Sequence, residues 1–155
     1  MSRKSGRSHP RGVFIDTHSL LAIVNADDLN HEPAVAVLSE MIESRTPLLT
    51  SDWIIAEFLS ACSKRPLRSA GLKAVDALRA SPLVRVVPAN RATFDLALRL
   101  YRARSDKDWS LIDCTSMILC KQARIRRVFT GDHHFVQAGF EVLLDASRPA
   151  KSSKP

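Results

Sequence analysis

Four acidic residues stand where apolar segments begin or end. Asp16 closes the run Gly12-Val13-Phe14-Ile15, and Glu57 lies in the second turn of a helical pattern capped at Ser51. Asp113 follows Ser110 by three residues, and Asp132 comes directly after Val128-Phe129-Thr130-Gly131. Brought together without a counter-charge, four carboxylates repel, and some would be protonated at neutral pH. A divalent cation resolves that repulsion, and an all-oxygen ligand set favours Mg²⁺, with Mn²⁺ as a substitute, over zinc. A hard cation held this way activates water toward a phosphodiester and offsets the charge developing on it. Taken singly, the acids also have ordinary readings. Asp16 reads equally as a strand-end turn residue, Glu57 as a solvated helix residue and Asp113 as the acidic partner of a capping box. What separates the readings is whether the fold brings the four to one place.

The elements that must position them are legible in the hydrophobic pattern. Short apolar runs at 12–15, 47–50, 83–87 and 128–130 read as buried strands, and Phe140-Glu141-Val142-Leu143-Leu144 reads as an edge strand. Between them, helical spacing predicts helices over 17–24, 31–44, from Ser51 through Cys62, 66–80 and 93–101. The stretch from Asp106 to Cys120 organises the rest. A charged loop runs into Trp109, Ser110 caps a helix, and between Leu111 and Cys120 the only polar residues are Asp113, Thr115 and Ser116. Apolar side chains cover most of that helix's circumference, which predicts burial on nearly all sides and a desolvated place for Asp113. Strands alternating with helices predict a mainly parallel central sheet flanked by helices, a three-layer α/β fold. In such folds ligands bind beyond the carboxyl ends of the strands, where Asp16 and Asp132 stand.

Composition bounds the class. The 155 residues are 45% apolar and 25% charged, an ordinary globular balance sufficient for one domain with a sizeable core. No apolar run approaches the length of a membrane span, and the basic N-terminus lacks the apolar segment of a signal peptide, so no membrane role and a cytoplasmic protein are expected. Cys62, Cys114 and Cys120 form no CxxC pair and read as buried thiols in a reducing compartment. The net charge of +7 suggests nucleic acid at first sight. Its source is the two ends, however. Arg3, Lys4, Arg7 and Arg11 precede residue 12, and Arg148, Lys151 and Lys154 follow residue 147, with no acid among either set. The expected organisation is a basic tail over 1–11, a charge-balanced domain over 12–147 and a second basic tail over 148–155.

Four segments together resemble a known family. Phe14-Ile15-Asp16-Thr17-His18-Ser19-Leu20-Leu21, Thr50-Ser51-Asp52-Trp53-Ile54-Ile55-Ala56-Glu57, the stretch from Asp106 through Ser116, and Thr130-Gly131-Asp132-His133-His134-Phe135 with Gly139-Phe140 are similar, in this order, to the motifs of PIN-domain proteins, most strongly the VapC-type toxins of toxin–antitoxin pairs. The resemblance spans roughly Val13 to Leu143. It implies a PIN-like three-layer fold and a Mg²⁺-dependent endoribonuclease with RNA as substrate. It also implies a cognate antitoxin, a homodimer, and Asp16, Glu57, Asp113 and Asp132 as both metal ligands and catalytic residues. Asp108 is an extra acid, assigned here to the approach to the helix cap. A non-toxin PIN nuclease and a non-catalytic PIN module that binds RNA or protein are the alternatives; the presence of all four acids argues against the latter. A haloacid-dehalogenase or receiver fold is disfavoured because the first strand ends Asp16-Thr17-His18, without a second acid in DxD spacing. His18, His133 and His134 read as helix-start and partly exposed turn residues, Trp53 and Trp109 as packing at helix entries. Arg99, Arg102, Arg104 and Lys107 read as a solvated face.

Overall fold

The computed structural model describes residues 12–144. The tails expected at 1–11 and 148–155, and positions 145–147 of the expected domain, lie outside the described residues.

Five strands, β1 (Val13–Ile15), β2 (Leu48–Ser51), β3 (Val84–Val87), β4 (Arg127–Phe129) and β5 (Glu141–Val142), form one sheet in the order β3-β2-β1-β4-β5. Every pairing is parallel. The helices α1 (Thr17–Val24), α2 (His31–Glu43), α3 (Asp52–Ala61), α4 (Leu67–Ala80), α5 (Arg91–Ala103), α6 (Leu111–Ala123) and α7 (His133–Gln137) make the crossovers. β1 is central because it can be: Val13, Phe14 and Ile15 carry no charge, and all three are buried. A parallel sheet covered on both faces requires such continuous apolar strands, and each fully buried aliphatic or aromatic side chain stabilises by about 1.5–3 kcal/mol. Phe14, Phe58, Phe129 and Phe135 are the largest side chains enclosed this way.

Connectivity decides where the crevice opens. From β1 the chain steps to β2 and then β3 on one side; from β3 it returns past β1 to β4 and β5 on the other. Because crossovers are right-handed, the first set of helices and the second set pack on opposite faces. The strand order therefore reverses between β1 and β4, and the carboxyl ends of these two strands flank an open crevice. α3 and α6 contact one another, although they come from opposite arms of the connection.

Local chemistry explains the boundaries. Ser51 ends β2 and caps α3, its hydroxyl accepting from the Ile54 N–H. α5 begins at Arg91, two residues before the expected start, because the Asn90 side chain accepts from the Thr93 N–H and so nucleates the first turn earlier than the apolar pattern shows. The turn expected at His133 is a single helical turn, α7, and β5 is confined to Glu141 and Val142. α6 runs through the interior as expected, with Cys114, Thr115, Ser116, Met117, Leu119 and Cys120 all buried. The three cysteines are unpaired and buried. Among the described residues no helix is long and apolar enough to cross a membrane.

Gly12 enters β1 with φ +95°, and a Cβ built there would lie 2.6 Å from the Pro47 carbonyl oxygen, the same oxygen that accepts from the Val13 N–H. Neither the backbone angle nor the backbone neighbour has room to yield. Gly12→Ala is expected to lower stability by about 1–3 kcal/mol. Urea denaturation, read as a shift of midpoint at constant slope, measures it.

Candidate active site

Asp16 is the first residue beyond β1 and faces the crevice. It occupies the N-cap position of α1 but does not cap that helix with its side chain. Its carboxylate turns across the switch point instead, where Oδ2 accepts a 2.8 Å hydrogen bond from the Thr130 hydroxyl. That bond is made possible by the register, which pairs Ile15 with Phe129 and so sets the residues following β1 and β4 side by side. Thr130 Oγ1 in turn accepts from the Asp132 N–H at 3.1 Å. Both Asp16 and Thr130 are buried.

The other acids reach the same rim from separate elements. Glu57, half-buried on α3, accepts a short hydrogen bond from the Thr17 hydroxyl next to Asp16. Asp113 is at the third position of α6, where it completes a capping box: its N–H donates to Ser110 Oγ, and its Oδ2 accepts from the Ser110 N–H at 2.9 Å. The capping reading and the site reading of Asp113 therefore describe one side chain. Asp132 caps α7, accepting from the His134 N–H at 2.9 Å. Asp108 is exposed and precedes the cap.

Burial dominates the electrostatics of Asp16. The Asp16 carboxyl is pushed up from 3.8 to about 7, chiefly by burial, with Coulombic repulsion from Asp113 and Glu57 adding to it and the Thr130 hydrogen bond opposing it. Burial disfavours the charged form of Asp16, and the nearby acids add to that effect. The hard, all-oxygen donor set and this uncompensated carboxyl fit a divalent cation of the Mg²⁺ or Mn²⁺ kind. The four carboxylates are not drawn into one tight cluster, however. Among the described residues, the only group of metal-competent side chains with all ligand atoms within 4.8 Å is Asp132, His133 and His134.

His134 is the residue that the hydrophobic pattern did not reveal. It is partly exposed as expected, its side chain 20% accessible, but Nδ1 lies 3.2 Å from Asp113 Oδ2 and 3.4 Å from Asp132 Oδ1, which the sequence did not show. The cause is α7: once Asp132 caps it, the second helical residue turns inward toward the start of α6. A His pair directly after a strand-end acid was the available signal. His133 is exposed as expected. His18, half-buried, accepts from the Gly131 N–H through Nδ1 at 3.0 Å and so braces the loop after β4. Trp109 is buried, donates to Gln137 and lies under the Arg104 guanidinium at 4.9 Å, which is packing and not an open stacking surface. Arg104 is also joined to Asp106 by two hydrogen bonds of 2.9 and 3.0 Å, so that part of the basic run is internally paired.

A doubly wound, all-parallel α/β protein with acids gathered at its switch point is the class that this geometry defines. The PIN domain family model matches residues 13–141, and the chain belongs to that family. It is 26% identical over 129 residues to the 23S rRNA-specific endonuclease VapC20 of Mycobacterium tuberculosis, a match covering 83% of this chain and 95% of the relative. The crystal structure of VapC20, described as a Sarcin-Ricin loop cleaving toxin, superposes with a TM-score of 0.72 at 25% identity, covering 83% of this chain and 96% of that one. FitAcB from Neisseria gonorrhoeae shares the fold, with a TM-score of 0.60 at 20% identity over 84% of this chain and 95% of that one.

The Asp16 shift carries a sign that can be tested without metal. Its native value near 7 lies above the ordinary 3.8. Between the two the native state binds more protons than the unfolded chain, so stability falls as pH rises through that window. Asp16→Asn removes the penalty. In the presence of a chelator the variant should be more stable than the parent at about pH 8, by up to a few kcal/mol, with the advantage fading toward about pH 4. Thermal melts across this range read the difference directly, and parallel curves would mean that Asp16 ionises freely.

Proposed function

We propose that this chain is a divalent-metal-dependent endoribonuclease that acts as the toxin of a toxin–antitoxin pair. The observation that carries the reading is the approach of four acids from separate elements to the rim at the β1–β4 switch point, with Asp16 among them buried. The family membership and the relation to an rRNA endonuclease support RNA as substrate. Asp16, Glu57, Asp113 and Asp132 are the residues that would hold Mg²⁺, or Mn²⁺ in its place. When bound, such a cation supplies a nucleophile from water at neutral pH and stabilises the charge developing on the phosphate.

The chain's own contribution is positioning. Thr130 and Thr17 each aim a carboxylate by donating a hydroxyl proton to it, on Asp16 and Glu57 respectively. The capping box does the same for Asp113 through the Ser110 N–H. His134 places Nδ1 3.2 Å from Asp113 Oδ2 and 3.4 Å from Asp132 Oδ1, which ties the start of α7 to the start of α6. Burial of Asp16 keeps the local dielectric low, which strengthens every interaction of a cation there. The products would be RNA fragments, and the partners a cognate antitoxin and a second copy of the chain. The proposed nuclease domain spans 12–147.

Two experiments test this reading. Asp16→Asn and Asp113→Asn should each lower RNA cleavage by about 100-fold or more, the scale on which loss of a group stabilising transition-state charge is felt. Both variants should stay folded, and a chelator should abolish the parent's activity; cleavage that survives chelation or both substitutions overturns the metal site. Separately, induction of the chain alone in a bacterium should arrest growth, and co-expression of the small protein encoded beside it should restore growth. Unimpaired growth with active protein present would assign the nuclease to a role other than that of a toxin.

A further inference from the structure

α7 joins two surfaces of opposite charge. Its N-terminal end carries Asp132 and His134 at the acidic rim. Its C-terminal end, at Gly139 and Phe140, forms one wall of a cleft of about 290 Å³ whose other wall is the turn between α6 and β4, with Lys121, Arg124 and Arg126. All three cationic residues are exposed. Compensation of the negative C-terminal end of α6 accounts for Lys121 in its last turn and for Arg124 at its C-cap. It does not account for Arg126, which lies beyond the helix. Arg124 is also held at φ +55°, a left-handed position where glycine is the unstrained choice, yet a long cation is kept there. No acid is among the residues lining the cleft, and Lys121, Arg124 and Arg126 give its lining a positive charge.

The separation suits a polymer. β4 has three residues and α7 five, so at about 3.3 Å per strand residue and 1.5 Å per helical residue the rim and the cleft are on the order of 10–15 Å apart. Grooves that hold single-stranded nucleic acid combine cations tracking the phosphates with an aromatic face for a base. Phe140, half-buried in the cleft wall, offers such a face. We infer that the cleft between the α6–β4 turn and the end of α7 is a phosphate-binding subsite for the RNA strand, a few nucleotides from the scissile bond, with Lys121, Arg124 and Arg126 as its contacts. This rests on the ribonuclease reading and extends it from the reacting phosphate to the strand beside it. The three residues hold the strand and do not touch the reacting atoms.

The test uses the full chain and a labelled single-stranded RNA of mixed sequence, with affinity measured by fluorescence anisotropy in chelator across a salt series. The combined variant Lys121→Gln, Arg124→Asn, Arg126→Gln is compared with Lys64→Gln, Lys73→Gln, Arg79→Gln, which removes the same charge from exposed positions in the α3–α4 turn and on α4. Asn is chosen at 124 because it tolerates the left-handed conformation. At about 0.7 per phosphate contact on a single strand, the slope of log affinity against log salt should become shallower by about 2 in the cleft variant and change little in the control. With metal present, the cleft variant should raise KM for long RNA and leave kcat unchanged. If the combined variant fails to fold by circular dichroism, Lys121→Gln and Arg126→Gln singly should each reduce the slope by about 0.7. A parent that cuts RNA while the cleft variants track the control overturns the subsite alone, as does a fall in kcat at constant KM. A parent that neither binds nor cuts RNA overturns the ribonuclease reading, and the subsite with it.

Discussion

The pairing of β1 with β4 is the constraint on which the rest of this structure depends. Both strands are apolar throughout the two positions that lie deepest, and their parallel register sets Ile15 beside Phe129. The next residues along each strand are then forced into one another's company at the point where the helical connections diverge. Asp16 and Thr130 meet there because nothing else fills the gap: the connections that would cover the strand ends lead away in opposite directions. A buried carboxylate is tolerated at this place because a hydroxyl donor reaches it from the neighbouring strand.

That single bond does not neutralise the site. The donors found at the rim are hydroxyls, backbone N–H groups and one imidazole, each already given to one acid. They orient the carboxylates but do not offset the burial of Asp16, which is the main reason its carboxyl is displaced upward, with repulsion from Asp113 and Glu57 adding to it. Burying Asp16 costs stability whenever its carboxyl is ionised. Under the ribonuclease function proposed above, concentrated and preorientated negative charge is what would hold a metal for phosphodiester hydrolysis.

Charge elsewhere is organised around the same short distance. The described strands are brief, three or four residues for all but the two-residue β5, so the two ends of the sheet are never far apart. Acids at the carboxyl ends and the basic turn at the amino end of β4 are therefore close together, which is what the proposed strand-binding subsite requires. A longer sheet with the same residues would separate them into unrelated patches. α7 spans that interval on the outer flank of β4, and its brevity matters for the same reason.

Much of this was legible from the residues in order. The continuous apolar runs identified the buried strands, their alternation with helical periods identified the parallel α/β class, and the strand-end positions of Asp16 and Asp132 marked the crevice. The serine at 110, the acid at 113 and the apolar segment after them identified both the cap and the interior course of α6. These features are local, and their period or spacing survives in one dimension. Other features exist only across the chain. The start of α5 depended on an asparagine side chain folding back on a backbone N–H. The role of His134 depended on α7 turning it toward an acid 21 positions earlier, and the Arg104–Trp109 contact took a residue from the solvated run into the packing. The shift of Asp16 required knowing its burial and its neighbours together. The sequence alone determined which residue types were present at the ends of strands. Tertiary structure decided which of them share one volume, because charge repulsion, desolvation and hydrogen-bond geometry act through space and fall off over a few ångströms, whatever the separation along the chain.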